Sequence, residues 1–271
     1  ERPVEANLSC ERCRGRVAIA LRPEDMALTS RRRVDVPYWY PSVAFGPDWE
    51  MWRGGHRELG ITEVADFWSN RNLTALSVLH EGTRREPDSR LRSALLFAFT
   101  AIVNRASRRY QWNAKRPTNV LGGTLYIASL RYEFNVLSLF RRKVAAVTRY
   151  YRAVPGSPGA VTVREGSATD LDHVPSGSVD YCFTDPPFGA NIYYADASLM
   201  WESWLGRLTD RSLEAVVSRR RQGKGLADYQ ELLVRTRPGS QRHEGLSWVI
   251  CDMTAPGITV RPIENLAGAT H

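Results

Sequence analysis

The chain has 271 residues, 43% of them hydrophobic, which suits one large domain or two small ones with a sizeable core. No run reaches the ~18 apolar residues of a membrane helix, and no signal peptide opens the sequence. The formal charge of +8 favours a polyanionic partner, yet of 37 basic residues only Lys115, Lys143 and Lys224 are lysine, a bias that genome base composition can also produce.

The four cysteines, Cys10, Cys13, Cys182 and Cys251, are too scattered for a disulfide framework and point to a reducing cytoplasm. Cys10-Glu11-Arg12-Cys13-Arg14-Gly15 has the spacing of one zinc-ribbon knuckle. Tetrahedral zinc needs four ligands. There is no second C-x-x-C, and His56 and His80 show no ligand spacing. The economical expectation is half a ribbon whose partner pair lies before Glu1, which is not an initiator methionine; the alternative is two free thiols in a frayed terminus. Residues 16–60 read as irregular. Arg31-Arg32-Arg33 is a solvated charge run. The aromatic and proline segments Val36–Pro41 and Phe45–Trp49 suit an arm that packs its rings on the domain, with base stacking as the alternative.

From Gly60 the pattern turns helical. Ile61, Val64 and Phe67 form one short apolar face, and Leu73, Leu76, Leu79 and His80 form the next. Asp88-Ser89 reads as an N-cap for a helix over about 90–106, apolar around much of its girth and so expected to be deeply buried. Arg105, Arg108 and Arg109 then meet phosphate or solvate the helix end. Gly122-Gly123 precedes its apolar run rather than following a strand, so it reads as a turn and not a cofactor loop. Val136, Leu137, Phe140, Val144 and Val147 mark an amphipathic helix over about 132–151, with Arg141-Arg142-Lys143 facing solvent.

Pro155–Gly159 is a loop, and Val161-Thr162-Val163 reads as a strand. Ser176-Gly177-Ser178 turns into a second apolar run, Val179–Phe183, with Cys182 expected in its packing. Pro186 and Pro187 have no N–H to donate, so that strand stops with Asp185 at its carboxyl end, where open α/β sheets bind ligands. Ser167 and Asp170 lie past the end of the neighbouring strand. An acid followed by a proline-stiffened carbonyl and an aromatic ring suits a flat substrate with an exocyclic amine. The carboxylate and the carbonyl each accept one amine hydrogen, and the ring stacks. A base inside a duplex must be flipped out to reach such a corner.

Thr184-Asp185-Pro186-Pro187-Phe188-Gly189 resembles the catalytic motif of amino-methylating DNA methyltransferases. Its flanks, Gly166–Leu171, Ala190–Asp196 and Leu199–Leu205, resemble bacterial adenine-specific DNA methylases that carry a zinc ribbon. The similarity covers about residues 8–233 and is strongest at 160–233. It implies a Rossmann-like, S-adenosylmethionine-dependent α/β methyltransferase fold, incomplete at the N-terminus, with a helical insertion and a partial zinc ribbon. It implies Asp185 and the Pro186 carbonyl as acceptors, Pro187 as the stiffener and Phe188 as the stacking ring. Ser167 and Asp170 become contacts to the cofactor's adenine, although a cap or turn role suits Asp170 equally well. Cys10 and Cys13 become zinc ligands, and DNA becomes the partner.

Beyond the motif, Asn191, Tyr193 and Tyr194 are near enough to line a base pocket. Tyr194, Ser198, Trp201 and Leu205 recur at helical spacing, and their aromatics read as core. Arg219–Gly225 is basic and glycine-containing, which suits a flexible phosphate-contacting loop. Asp228–Val234 begins a helix. From Arg235 the methylase register fails; Trp248–Cys251 suits a strand, the alternative being an end with no native fold. The implied units are 1–60 (ribbon remnant and arm), 61–154 (helical insertion), 155–234 (methyltransferase core) and 235–271 (irregular tail). The glycine-rich turn by which such enzymes hold their cofactor is not spelled in the chain. Two alternatives stand beside DNA methylation: an RNA guanine amino-methyltransferase, and a non-catalytic nucleic-acid-binding fragment.

Overall fold

The computed structural model describes residues 5–9, 16–24, 36–113, 120–154, 161–164, 173–175, 177–181, 187 and 189–229. Strands β1 (Glu5–Ser9) and β2 (Arg16–Ala20) pair antiparallel, with Glu5 opposite Ala20 and Ser9 opposite Arg16. They flank the Cys10–Cys13 segment, which lies outside the described residues. β2 and a short helix α1 (Gly54–Glu58) both fall within the stretch expected to be irregular. Each is only five residues long, too short for a periodic pattern to stand out.

The arm is core rather than covering. Phe45, Trp49 and Met51 are buried in one hydrophobic cluster with Ile61, Leu73, Phe99, Leu139 and Trp204. That cluster draws on residues either side of positions 60 and 154. Backbone bonds lock the arm in place: Phe45 N–H donates to the Thr62 carbonyl (2.9 Å) and Val64 N–H to the Val43 carbonyl (2.8 Å). His56 joins it to the Gly-Gly turn region. Its Nδ1 accepts from Arg53 N–H, so Nε2 carries the proton given to the Leu125 carbonyl at 2.9 Å. Ile61, Val64 and Phe67 are buried as expected, the last two in a 3-10 turn (Val64–Phe67).

Three long helices follow, each started by a side chain whose oxygen accepts an otherwise orphaned N–H. Ser69 caps α2 (Asn70–Arg84), Asp88 caps α3 (Ser89–Val103) and Asn135 caps α4 (Val136–Ala153). Asp88 takes both the Arg90 and Leu91 amides, at 2.8 and 2.9 Å. α3 packs against α2, α4 and a later helix, α5 (Tyr194–Leu205). Only its last turns are enclosed: Ala98, Phe99, Ile102 and Val103 are buried, whereas Leu91 and Phe97 are exposed. The expectation of a deeply buried helix is corrected here for its first turns and for Phe97, because apolar girth does not supply neighbours on every side.

Indole and amide groups seal the joins between helices. Trp68 Nε1 donates to the Val103 carbonyl (3.0 Å), Trp201 Nε1 to the Thr100 carbonyl (3.0 Å), and Asn72 Nδ2 to the Ala106 carbonyl (2.9 Å). α5 ends at Gly206, whose φ of +72 favours glycine. Gly206 N–H bonds to the Ser203 carbonyl and Arg207 N–H to the Glu202 carbonyl, closing the helix end.

The two expected parallel strands are not formed in their described parts. Residues 161–164 and 177–181 carry no strand pairing, and Val163 is 91% and Tyr181 80% exposed. An apolar run records a preference for burial. A strand also needs a neighbour for its amides and carbonyls, and none stands beside these residues among those described. Cys182 itself lies outside them.

Candidate functional site

Of the motif itself, Pro187 and Gly189 are described; Asp185, Pro186 and Phe188 lie outside the described residues, as do Ser167 and Asp170. The exit from the motif is held at two points. The Pro187 carbonyl accepts from the Tyr229 hydroxyl at 2.5 Å, and the Gly189 carbonyl accepts from Val217 N–H at 3.3 Å. Gly189 has φ +60, and a Cβ there would stand 3.9 Å from Val217 and 4.0 Å from the Tyr229 ring. Its positive φ is what a side chain would strain. Tyr229 sits in a helical turn over 226–229.

Past Gly189 the chain enters α5. Asn191 and Tyr194 are exposed and Tyr193 is half-buried. The stripe Tyr194, Ser198, Trp201, Leu205 is not the core face: Tyr194 and Leu205 are exposed, and the buried positions are Ala195, Asp196, Leu199, Met200, Ser203 and Trp204. α5 presents aromatic or aliphatic residues on both flanks, so spacing alone selects no face.

Tyr193, at the N-cap of α5, makes no side-chain cap bond. The cap comes from a distant residue: Glu214 Oε1 accepts from Ala195 N–H at 3.0 Å, while its Oε2 accepts from Gln222 Nε2 at 2.9 Å. Asp196, fully buried, accepts from Met51 N–H through Oδ2 at 2.8 Å. Its Oδ1 has no partner among the described residues. Burial pushes the Asp196 carboxyl up to about 6, with Glu214 and Glu50 adding in the same direction. The third acid, Glu50, is buried and accepts from the Ser218 hydroxyl. Tyr193 is raised by burial and then by Glu50. Three acids thus join the arm, the start of α5 and the 214–224 loop, and that loop carries Val217 to Gly189.

The basic stretch 219–225 divides. Arg219 and Arg220 are exposed, but Arg221 donates to the Trp49 and Trp52 carbonyls. Lys224 Nζ donates to the Arg211 and Glu214 carbonyls, both at 2.6 Å, and burial lowers its pKa. The expectation of a flexible phosphate loop is corrected for these two cations. Their charge is spent on backbone carbonyls, of which those of Trp49 and Arg211 also accept the Trp52 and Glu214 amides.

Arg109 is corrected likewise. It meets neither phosphate nor solvent: it is 3% exposed and bonds Asn104 and the Leu121 and Thr124 carbonyls. Arg108 donates to the Asp66 carbonyl at 2.9 Å. Among the described residues no three His, Cys, Asp or Glu side chains gather to hold a metal ion, and His56 and His80 are buried structural groups.

No family model, curated protein or solved structure matches the chain. No described helix is long and apolar enough to cross a membrane.

Asp196 sets a pH dependence. Its folded pKa of about 6 lies above the ordinary 3.8, so the folded chain holds the proton more tightly than the unfolded one. Stability from this group is present below pH 3.8 and is lost as pH rises towards 6. Asp196→Asn keeps an acceptor for Met51 and removes the ionisation. It is expected to be about 2 kcal/mol more stable than the parent at pH 7.5, with the difference vanishing near pH 4. Urea unfolding of both proteins across that range measures it; parallel pH profiles would refute the assignment.

Proposed function

We propose that the protein is an amino-methyltransferase that acts on the exocyclic amine of adenine, less favourably of cytosine, in DNA, on a Rossmann-like α/β methyltransferase fold. What supports the reading is the motif Thr184–Gly189, with its exit held by Tyr229 and Val217. The Pro187 carbonyl accepts from the Tyr229 hydroxyl, and the proposal gives the substrate to the Pro186 carbonyl before it. Asp185 accepts one amine hydrogen and the Pro186 carbonyl the other, so the nitrogen lone pair is directed outward. Pro187 stiffens the corner and Phe188 stacks on the base. S-adenosylmethionine would supply the methyl group, with Ser167 and Asp170 against its adenine. The fit of neither that cofactor nor zinc at Cys10 and Cys13 rests on described residues. The net charge of +8 suits a DNA partner, and a cytoplasmic setting suits the sparse cysteines.

A second reading, non-catalytic binding of nucleic acid, is favoured by segments 161–164 and 177–181, which carry no strand pairing among the described residues. Radiolabelled methyl transfer to duplex DNA and to structured RNA separates the readings. The expected product is N6-methyladenine in DNA, and Asp185→Ala is expected to slow its formation by about 10²–10³-fold. Label on RNA guanine would assign the RNA alternative. DNA binding without label would assign the non-catalytic one, and an Asp185→Ala protein as fast as the parent would end the mechanism.

A further inference from the structure

Trp39 is 46% exposed although two aromatic neighbours stand within reach. Its ring centroid lies 5.2 Å from His80 and 6.0 Å from Trp204, edge-on to the latter. Two open cavities flank it. One, of about 290 Å³, is lined by Trp39, His80, Leu96, Trp204 and Leu205, with Arg84 among its walls. The other, of about 220 Å³, lies towards Pro41 and Leu208. Gly206, without a side chain, lines both. Trp204 is buried, and its Nε1 finds no acceptor among the described residues.

Of the side chains lining the larger cavity, Arg84 carries the charge. Arg84 is exposed and has no carboxylate partner among the described residues. Its neighbour Arg85 is already committed, to Glu81 at 2.7 Å, with its guanidinium 5.7 Å from the Tyr38 ring. A half-exposed indole, an apolar slot and one free cation complement a flat ring that carries an anion.

We propose that the groove beside Trp39 binds an unpaired nucleobase, with the ring against Trp39 and its phosphate met by Arg84. Stacking on an aromatic face is tolerant of base identity, and an arginine near the slot supplies the charge that a sugar–phosphate backbone needs. The site goes beyond the methyl-transfer reading and stands at the other end of α5 from the motif. Twelve residues at 1.5 Å each separate the two ends by about 18 Å. A strand held there would be anchored away from the base being modified.

A fluorescently labelled oligo-dT, titrated by anisotropy at two salt concentrations, tests the proposal. Thymine has no exocyclic amine, so this result stands or falls independently of methyl transfer. Trp39→Ala is expected to weaken binding roughly tenfold and Trp39→Tyr, which keeps a stacking face, much less. Arg84→Gln is expected to weaken it and to lower the salt slope by about one counter-ion, whereas Arg85→Gln leaves both unchanged. Arg84 is exposed, so its variant reads binding without disturbing the fold. Unchanged affinity in Trp39→Ala or Arg84→Gln would overturn the proposal. So would a chain that ignores oligo-dT but forms a dimer abolished by Trp39→Ala, which would make the groove a contact between copies.

Discussion

Trp204→Ala is expected to lower the free energy of unfolding by about 3–5 kcal/mol, the usual cost of emptying an aromatic site in a core. Trp204 is 1% exposed and sits where four rings meet: Trp68 at 5.8 Å, Phe99 at 5.3 Å, His80 at 5.3 Å and Trp39 at 6.0 Å. Three of the four contacts, to Trp68, Phe99 and Trp39, are edge-on, the arrangement that ring quadrupoles favour. Removing the indole opens a void between the arm, α2, α3 and α5 that no single element can close. Domains are stable by only about 5–15 kcal/mol, so much of the margin would go. Trp204→Phe is the sharper test. It loses part of the ring volume but also removes an N–H that has no acceptor among the described residues, a buried donor worth about 1–3 kcal/mol of desolvation. The phenylalanine protein is therefore expected within about 1 kcal/mol of the parent. Urea unfolding of both variants measures this; a phenylalanine variant as unstable as the alanine one would refute the ring-packing account.

Arg109→Leu is expected to cost about 3 kcal/mol, from leaving the Leu121 and Thr124 carbonyls and the Asn104 amide oxygen without their donor. Burial lowers the Arg109 pKa to about 10, and no carboxylate among the described residues opposes it. The guanidinium is retained because one planar fork reaches acceptors on two segments, 104 and 121–124, and so fixes the turn that buries Leu125 and Ile127. A leucine matches the burial and none of the bonds. Arg109→Lys is expected to recover little, since one ammonium cannot span the same acceptors. Hydrogen exchange should rise first at residues 121–127. A leucine variant as stable as the parent would show that the charge costs more than its bonds return.

The helices after Gly60 were legible because their signals are local. Asp88 announces its helix by being able to reach two amides within three residues, and Leu73 and Leu76 announce a face by spacing. The arm was half legible: its aromatics and prolines pointed to rings packed on the domain, and Phe45 and Trp49 are in the core, yet Trp39 stays half-exposed beside a groove. Arg109 and Lys224 were not legible. A basic residue near a helix end or in a glycine loop reads as solvated, and only the folded chain brings backbone carbonyls from other segments around it. Glu214 carries no cap signal at all, since the helix it caps begins twenty residues earlier, at Tyr194.

By itself the sequence determined that Asp88 starts α3, that α2 and α4 are helical, and that one acid, two prolines and a ring stand together at 185–188. These follow from bonds and torsions within a few residues. Tertiary structure alone decided which flank of α5 is buried, that Glu214 rather than Tyr193 caps it, and that Tyr229 and Val217 hold the motif's exit. Each of those depends on which segment arrives alongside, and a chain's own periodicity carries no record of its neighbours.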